Sequence, residues 1–230
     1  MSRTVIVTGG SSGIGAAIAA GFHASGARVH VTGHVNGPAP QGISTATLDV
    51  RDDAGVSAYF AGFDRINVLI NCAGVIRRGG AEFTPEGFAD VIDINLTGTH
   101  RCCLAAHSAL RAAAGCIINT ASMLTFFGSA VAPAYAASKG GIGQLTRSLA
   151  MAWARDGIRV NALAPGWIET PLTRPLVEDS AKSAPILART PMGRWGRPED
   201  LIGPAMFLAS DAAGFVTGAI LPVDGGFSAA

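Results

Sequence analysis

The sequence predicts an α/β fold: a single doubly wound domain, with a seven-stranded parallel sheet and helices on both faces. Three observations carry that expectation. Short β-branched and apolar runs recur along the 230 residues, each bounded by Gly, Asn or Pro, as strands buried on both faces should be. Longer helical stretches alternate with them, and such alternation favours parallel strands joined by right-handed crossovers. The composition, 49% hydrophobic and 14% charged, suits one large core, and the length is short for two ordinary domains.

The first strand covers residues 4–7, with Val5, Ile6 and Val7. It runs into a turn holding Gly9, Ser11, Ser12, Gly13, Ile14 and Gly15, after which 16–24 read as helix and 28–32 as the second strand. Strand, glycine turn, helix and strand thus follow one another within about thirty residues, the order a dinucleotide site requires. Glycines tighten the turn and let backbone N–H groups approach a pyrophosphate at the helix N-terminus. Two rival readings fail. The run from Gly9 to Gly13 also fits a G-x-S-x-G nucleophile elbow. A hydrolase needs a late histidine, however, and the histidines stand at 23, 30, 34, 100 and 107. A phosphate-binding loop of the Gly-Lys-Ser/Thr type is excluded because no such run follows the glycines.

Residues 33–42 form a loop rich in Gly and Pro, with little room for a helix. The third strand, 44–48, ends at Asp49 and Val50, and a short helix, 54–63, leads to the fourth strand, 67–70. That strand ends in Asn71, Cys72, Ala73 and Gly74. Thr84, Pro85 and Glu86 are an N-cap, a first-turn proline and a first-turn acid, so a helix starts there and continues to about Ala113. The fifth strand is 116–119, with Ser122 just beyond; a helix covers 135–155 and the sixth strand 159–163. Pro165 and Gly166 then break the chain, and the stretch to Arg197 reads as irregular. A last helix spans 198–209, with Pro204 expected to kink it, and the seventh strand is 220–223.

Ligands in such sheets bind beyond the carboxyl ends of the strands. The glycine turn, Asp49, Asn71, Ser122 and Pro165 all fall there. Tyr135 and Lys139 are four residues apart, hence on one helix face. An ammonium that close favours the phenolate and lowers the tyrosine pKa, which suits a proton-transfer role.

In these features the chain resembles, over nearly its whole length, the short-chain dehydrogenase/reductase family, whose fold is of the Rossmann type. The matching residues are Thr8 to Gly15, Asp49, Asn71 to Gly74, Asn95, Ser122 thirteen residues before Tyr135, Lys139, Asn161, Pro165 with Gly166, and Thr170. The resemblance implies hydride transfer between a nicotinamide cofactor and a secondary alcohol or ketone. Tyr135 would be the general acid or base, Lys139 would lower its pKa and bind the nicotinamide ribose, and Ser122 would orient the substrate oxygen. Asn95 would hold a water leading from the lysine to solvent. Asp49 would bond the adenine amine and Val50 pack its ring. Asn71, which would tie strand turns together rather than touch substrate, would line the cofactor with Ala73 and Gly74, as would Tyr135, Lys139, Pro165, Gly166, Ile168 and Thr170. Cys72 replaces the second asparagine of the commonest family pattern.

The residue gripping the adenosine ribose should end the second strand, where Gly33 and His34 stand. An acid there would favour NAD and an arginine NADP. Neither is present, and a histidine mostly neutral at pH 7 is a weak partner for a 2′-phosphate, which leans the expectation to NAD. Within the family the chain is similar to bacterial sugar-acid dehydrogenases of the gluconate type, through residues 75–78, 121–124 and 191–196. Arg77, Arg78, Arg174, Arg189 or Arg194 could meet a carboxylate. Met123, Phe126, Trp167, Met192 and Trp195 would instead suit an apolar or aromatic ketone. A dinucleotide-binding sensor without turnover is the alternative of another class.

The remaining expectations concern surroundings. A net charge of +1 without basic runs offers no nucleic-acid surface. Cys72, Cys102, Cys103 and Cys116 form no metal-ligand spacing and read as thiols of a reducing compartment. The chain runs from Ser2 directly into a strand and has no bilayer-length apolar run, so a cytoplasmic location is expected. Residues 170–195 are long and proline-broken, the form of a substrate lid. In relatives, helices equivalent to 88–113 and 135–155 pair between subunits and the tail 225–230 helps complete a tetramer, so a homotetramer is implied.

Overall fold

The computed structural model describes residues 2–33 and 42–229. Seven parallel strands form one sheet in the order β3-β2-β1-β4-β5-β6-β7. They are β1 (Thr4–Thr8), β2 (Arg28–Gly33), β3 (Ser44–Thr47), β4 (Val68–Asn71), β5 (Cys116–Thr120), β6 (Arg159–Pro165) and β7 (Ile220–Val223). After β1 the chain builds outward to β3, then returns to β1's other side with β4. That reversal opens a crevice beyond the carboxyl ends of β1 and β4.

Period-two side-chain alternation explains the two cores. Val5 and Val7 face α1 (Gly13–Ala24), whose Ile18 and Phe22 join the same buried cluster. Between them Ile6 faces the opposite way, into a cluster with Leu69, Ile117 and Phe60. Phe60 belongs to α2 (Asp53–Ala61). α3 (Pro85–Ile92) starts as the sequence predicts, with Thr84 Oγ1 accepting from Gly87 N at 3.1 Å. α4 (Gly98–Ala113) and α5 (Pro133–Trp153) supply Leu110 and Leu149 to the second core.

The differences from the sequence reading have physical causes. The single helix expected from Pro85 to about Ala113 is interrupted by a π-helical turn, Asp93–Thr97, which carries Asn95. Such turns insert one residue and swing a side chain out of the helical register. The stretch after Gly166 is not wholly irregular: it contains α6 (Arg174–Val177) and α7 (Ser180–Arg189). Pro185 lies inside α7, which is why propensity argued against a helix there. Pro204 does not kink a continuous helix. A 3₁₀ turn, Pro198–Leu201, precedes α8 (Ile202–Ala209), so Pro204 falls in the first turn of α8, where an N–H has no intrahelical acceptor. Among the described residues no helix is long and apolar enough to cross a membrane.

Candidate active site

A cleft of about 560 Å³ opens at the carboxyl ends of β1, β2, β4 and β5. Gly9, Ser11, Ser12, Gly13, Ile14, Gly15, Gly33, Asp49, Val50, Ala73, Gly74, Tyr135, Lys139 and Thr170 all line it. The turn needs its first glycine twice over. Gly9 has φ +65°, and a Cβ there would lie 2.5 Å from Ala73 N.

The cleft fits a dinucleotide. Ser12 stands at the N-cap of α1 but makes no side-chain bond to the helix, and the first turn holds no acid. The leading N–H groups of α1 therefore present a positive end to an anion. Beside them Thr32 is fully buried, lines the cleft, and has an Oγ1 without a partner among the described residues. A buried orphan hydroxyl is costly unless a ligand meets it.

Other expected residues sit elsewhere. Asn71 does not line the cleft; its Nδ2 donates to Asn119 Oδ1 at 3.0 Å and Cys103 Sγ at 3.3 Å inside the sheet. Its side chain is spent on joining β4 to β5. Asp49 lines the wall, and Arg51 Nη2 reaches its Oδ2 at 2.7 Å. Pro165 is buried at the end of β6, and a Cβ on Gly166 would strike Asp224 Cβ at 2.6 Å, so this corner is a packing joint. Ile168 faces a second cavity of about 220 Å³ with Trp167, Met192 and Arg194. His34 lies outside the described residues.

At the inner end of the cleft the four expected catalytic positions converge. Lys139 Nζ donates to Thr120 O at 2.6 Å and lies 5.4 Å from the centre of the Tyr135 ring. Ser122 is buried; its Oγ accepts from Leu124 N at 3.2 Å, and its hydroxyl lowers the pKa of the Tyr135 phenol. Asn95 is clamped: its Oδ1 accepts from Val75 N at 2.8 Å, while its Nδ2 donates to Val75 O at 2.9 Å and Ser138 Oγ at 3.1 Å. It therefore ties the loop after β4 to α5. A Cβ on Gly74 would sit 3.2 Å from Asn95 Oδ1 and 3.8 Å from Lys139 Nζ, which places those two groups together.

The electrostatics correct the expectation that Lys139 brings the tyrosine down towards neutral pH. Burial pushes the phenol up to about 12, with the Ser122 hydroxyl pulling it down and the Glu82 carboxylate pushing it up. Burial also lowers the lysine amine, to about 8. Desolvation disfavours the charged form of each and is the largest cause of both shifts.

Glu82 was not singled out from the sequence. It stands among arginines and glycines, and that company reads as surface loop. Its side chain is nevertheless buried and bonds the backbone of Arg77 and of Tyr135. Of the expected arginines, Arg77 pairs with Asp90 at 2.6 Å and Arg194 with Asp200 at 2.7 Å. Arg189 stacks over Phe227 at 4.2 Å, and Arg78 Nη2 donates to Leu172 O at 2.8 Å across the cleft mouth.

The sequence model of the family described as enoyl-(acyl carrier protein) reductase matches residues 9–228. The chain belongs to the short-chain dehydrogenase/reductase family. This dehydrogenase is similar to the 2-dehydro-3-deoxy-D-gluconate 5-dehydrogenase of Pseudoalteromonas atlantica, at 51% identity over 169 residues. That match covers 73% of this chain and 66% of the relative. The Bacillus subtilis protein of the same name is 39% identical over 239 residues, 98% of this chain and 94% of its own. Among solved structures, a gluconate 5-dehydrogenase from Burkholderia cenocepacia in complex with NADP and tartrate superposes with a TM-score of 0.92. It is 34% identical, covering 99% and 96% of the two chains. This short-chain dehydrogenase is thus a nicotinamide-dependent oxidoreductase of CH–OH groups.

Proposed function

We propose that the chain, as one nicotinamide-binding unit, oxidises a secondary hydroxyl of a sugar acid or reduces the matching ketone, with Tyr135 as the proton-transfer group. The observation carrying this is the convergence of Tyr135, Ser122 and Lys139 at the inner end of a dinucleotide-sized cleft. Bound there, the nicotinamide would give or take the hydride and, when oxidised, bring a positive charge that favours the phenolate. Ser122 orients the substrate oxygen and stabilises charge on it. Tyr135 donates its phenolic proton to that oxygen during reduction and accepts it during oxidation. Lys139, anchored on Thr120 O, holds positive charge beside the phenol. Asn95 holds Val75 and Ser138 in place and keeps the lysine end of the cleft ordered.

The sugar-acid reading is supported by the names of the relatives and by Arg78, which stands at the cleft mouth with a backbone carbonyl as its partner. Residues 170–195 act as the lid in this reading, with Leu172 over the cleft. For cofactor choice, Gly33 offers no side chain, and the one arginine lining the described cleft, Arg51, is matched by Asp49 and Asp90. NADH is therefore expected to give the higher kcat/KM. A panel of sugar acids, polyols and simple ketones assayed with each nicotinamide tests both statements. If simple ketones turn over far better than every sugar acid, the substrate reading fails. An advantage of about tenfold for NADPH, equivalent to some 1.4 kcal/mol, overturns the cofactor reading.

A homotetramer in a reducing, cytoplasmic setting completes the proposal. Leu104 on α4 and Met151 on α5 are large apolar side chains left 51% and 83% exposed, which a subunit interface along these helices would cover. Light scattering in solution is expected to give four times the chain mass, and a monomer would refute this.

A further inference from the structure

A buried carboxylate outside the proton-transfer group has no role in the chemistry described above. Glu82, in the 3₁₀ turn Ala81–Phe83, is 1% exposed. Its Oε1 accepts from Arg77 N at 2.8 Å and its Oε2 from Tyr135 N at 2.9 Å. Among the described residues no lysine or arginine forms an ion pair with it. Burying an unpaired carboxylate costs several kcal/mol unless hydrogen bonds compensate.

The site it occupies explains the compensation and suggests a purpose. Tyr135 is the third residue of α5, whose N-cap is Ala132, a residue with no side chain able to cap, and whose first turn holds no acid. One leading N–H of a 21-residue helix, that of Tyr135, therefore meets a carboxylate supplied from 53 positions upstream. An aspartate or serine at position 132 could cap the helix without burying a charge. It could not also hold the loop after β4. Glu82 does both, since Arg77 continues from the same loop to Asp90 at 2.6 Å and Arg78 reaches Leu172.

We propose that Glu82 is a positioning residue whose carboxylate fixes Tyr135 against the loop after β4 and acts electrostatically on its phenol. This rests on the proton-transfer role assigned to Tyr135 above. The charged and titratable groups around the phenol are Lys139 from its own helix, 5.4 Å from the ring centre, and Glu82, which acts on it through charge; Cys72, after β4, acts on Lys139, and the neutral hydroxyl of Ser122, after β5, lowers the phenol pKa. Of these, Glu82 supplies the negative field, which raises the phenol pKa together with burial. Removing it makes the phenolate easier to form.

The test compares Glu82→Gln, Glu82→Asp and Tyr135→Phe with the wild type, reading kcat, the pH dependence of alcohol oxidation and the melting temperature. In Glu82→Gln the amide can accept from only one of the two N–H groups. Its kcat is expected to fall about tenfold through misplacement. The rising limb of oxidation should move about half a pH unit downward, because the charge has gone. Glu82→Asp keeps the charge but is a methylene short of spanning both N–H groups, so its kcat falls while its limb stays at the wild-type position. A Glu82→Gln limb that does not move, with Tyr135→Phe inactive, overturns the proposal and leaves the site reading intact. An active Tyr135→Phe instead overturns the site reading on which it rests. Should Glu82→Gln not fold, wild-type kcat in Glu82→Asp overturns the proposal, and a reduced kcat at unchanged melting temperature supports it.

Discussion

Tyr135→Phe is expected to lose at least about a thousandfold in kcat/KM, the scale of a well-placed general acid or base, while still binding cofactor. The change deletes one oxygen. Among the described residues no hydrogen bond of the fold is made through that oxygen, and Ser122, which acts on it, keeps its bond from Leu124 N, so folding and melting temperature should barely change. Tyr135 lines the cleft, but the substitution keeps its ring, and the rest of the wall, including Gly9, Ser11 to Gly15, Thr32 and Asp49, is unaltered. Fluorescence titration with reduced cofactor should therefore give a Kd close to the wild type. The pH behaviour adds a second signature. With the phenol pushed up to about 12, its protonated form dominates at neutral pH, so reduction has its acid ready and oxidation must gain rate as pH rises. That rise should vanish in Tyr135→Phe. Turnover retained in the variant would remove Tyr135 from the chemistry. Cofactor binding without turnover in the wild type, on every alcohol and ketone of the panel, would favour the sensor reading.

The fold, and most of the residues that line the cleft, were legible in the sequence because they depend on local rules. Val5, Ile6 and Val7 are apolar on both faces of one strand, and each face found its own core. Thr84 and Pro85 mark a helix start through chemistry confined to four residues. What was not legible depends on partners far along the chain or on burial. The π-helical turn at Asn95 is held by Val75, twenty residues earlier, and nothing in the local pattern announces it. α7 forms despite Pro185; one buried anchor is the bond from Trp195 Nε1 to Ser183 Oγ at 2.8 Å. Glu82 looked like a loop acid because its acceptor role depends on an N–H 53 positions away. Asn71 was expected at the cofactor because it ends a strand there, but its side chain points to Asn119 within the sheet. The spacing of Tyr135 and Lys139 correctly put them on one face, yet spacing carries no information about desolvation, and desolvation sets the direction of both pKa values.

That desolvation leads to the second large effect: Lys139→Met should make the protein more stable at neutral pH while removing most of its activity. Burial lowers the amine from 10.5 to about 8. Between those values the folded chain binds fewer protons at this site than the unfolded chain, so stability rises with pH across the window. Below about pH 8 the folded protein must carry the buried charge, and the penalty is fully present there, roughly 3 kcal/mol as an upper figure. Methionine is of similar length and bears no charge. Its cost is the lost bond from the charged Nζ to Thr120 O, about 1.5–3 kcal/mol. A net gain of up to about 1.5 kcal/mol corresponds to a melting temperature higher by up to roughly 3–6 °C in a domain of this size. The difference between variant and wild type should shrink as pH is raised towards 10.5, where the unfolded lysine also loses its proton. Calorimetry at neutral and alkaline pH checks the sign, and a variant that melts below the wild type at neutral pH would contradict it. In the same preparation kcat should fall by about a hundredfold or more, because the phenol then lacks its neighbouring cation. Stability given up for a charge at the reacting end of the cleft is the pattern expected of a catalytic lysine, whereas a purely structural lysine would lower the melting temperature when removed.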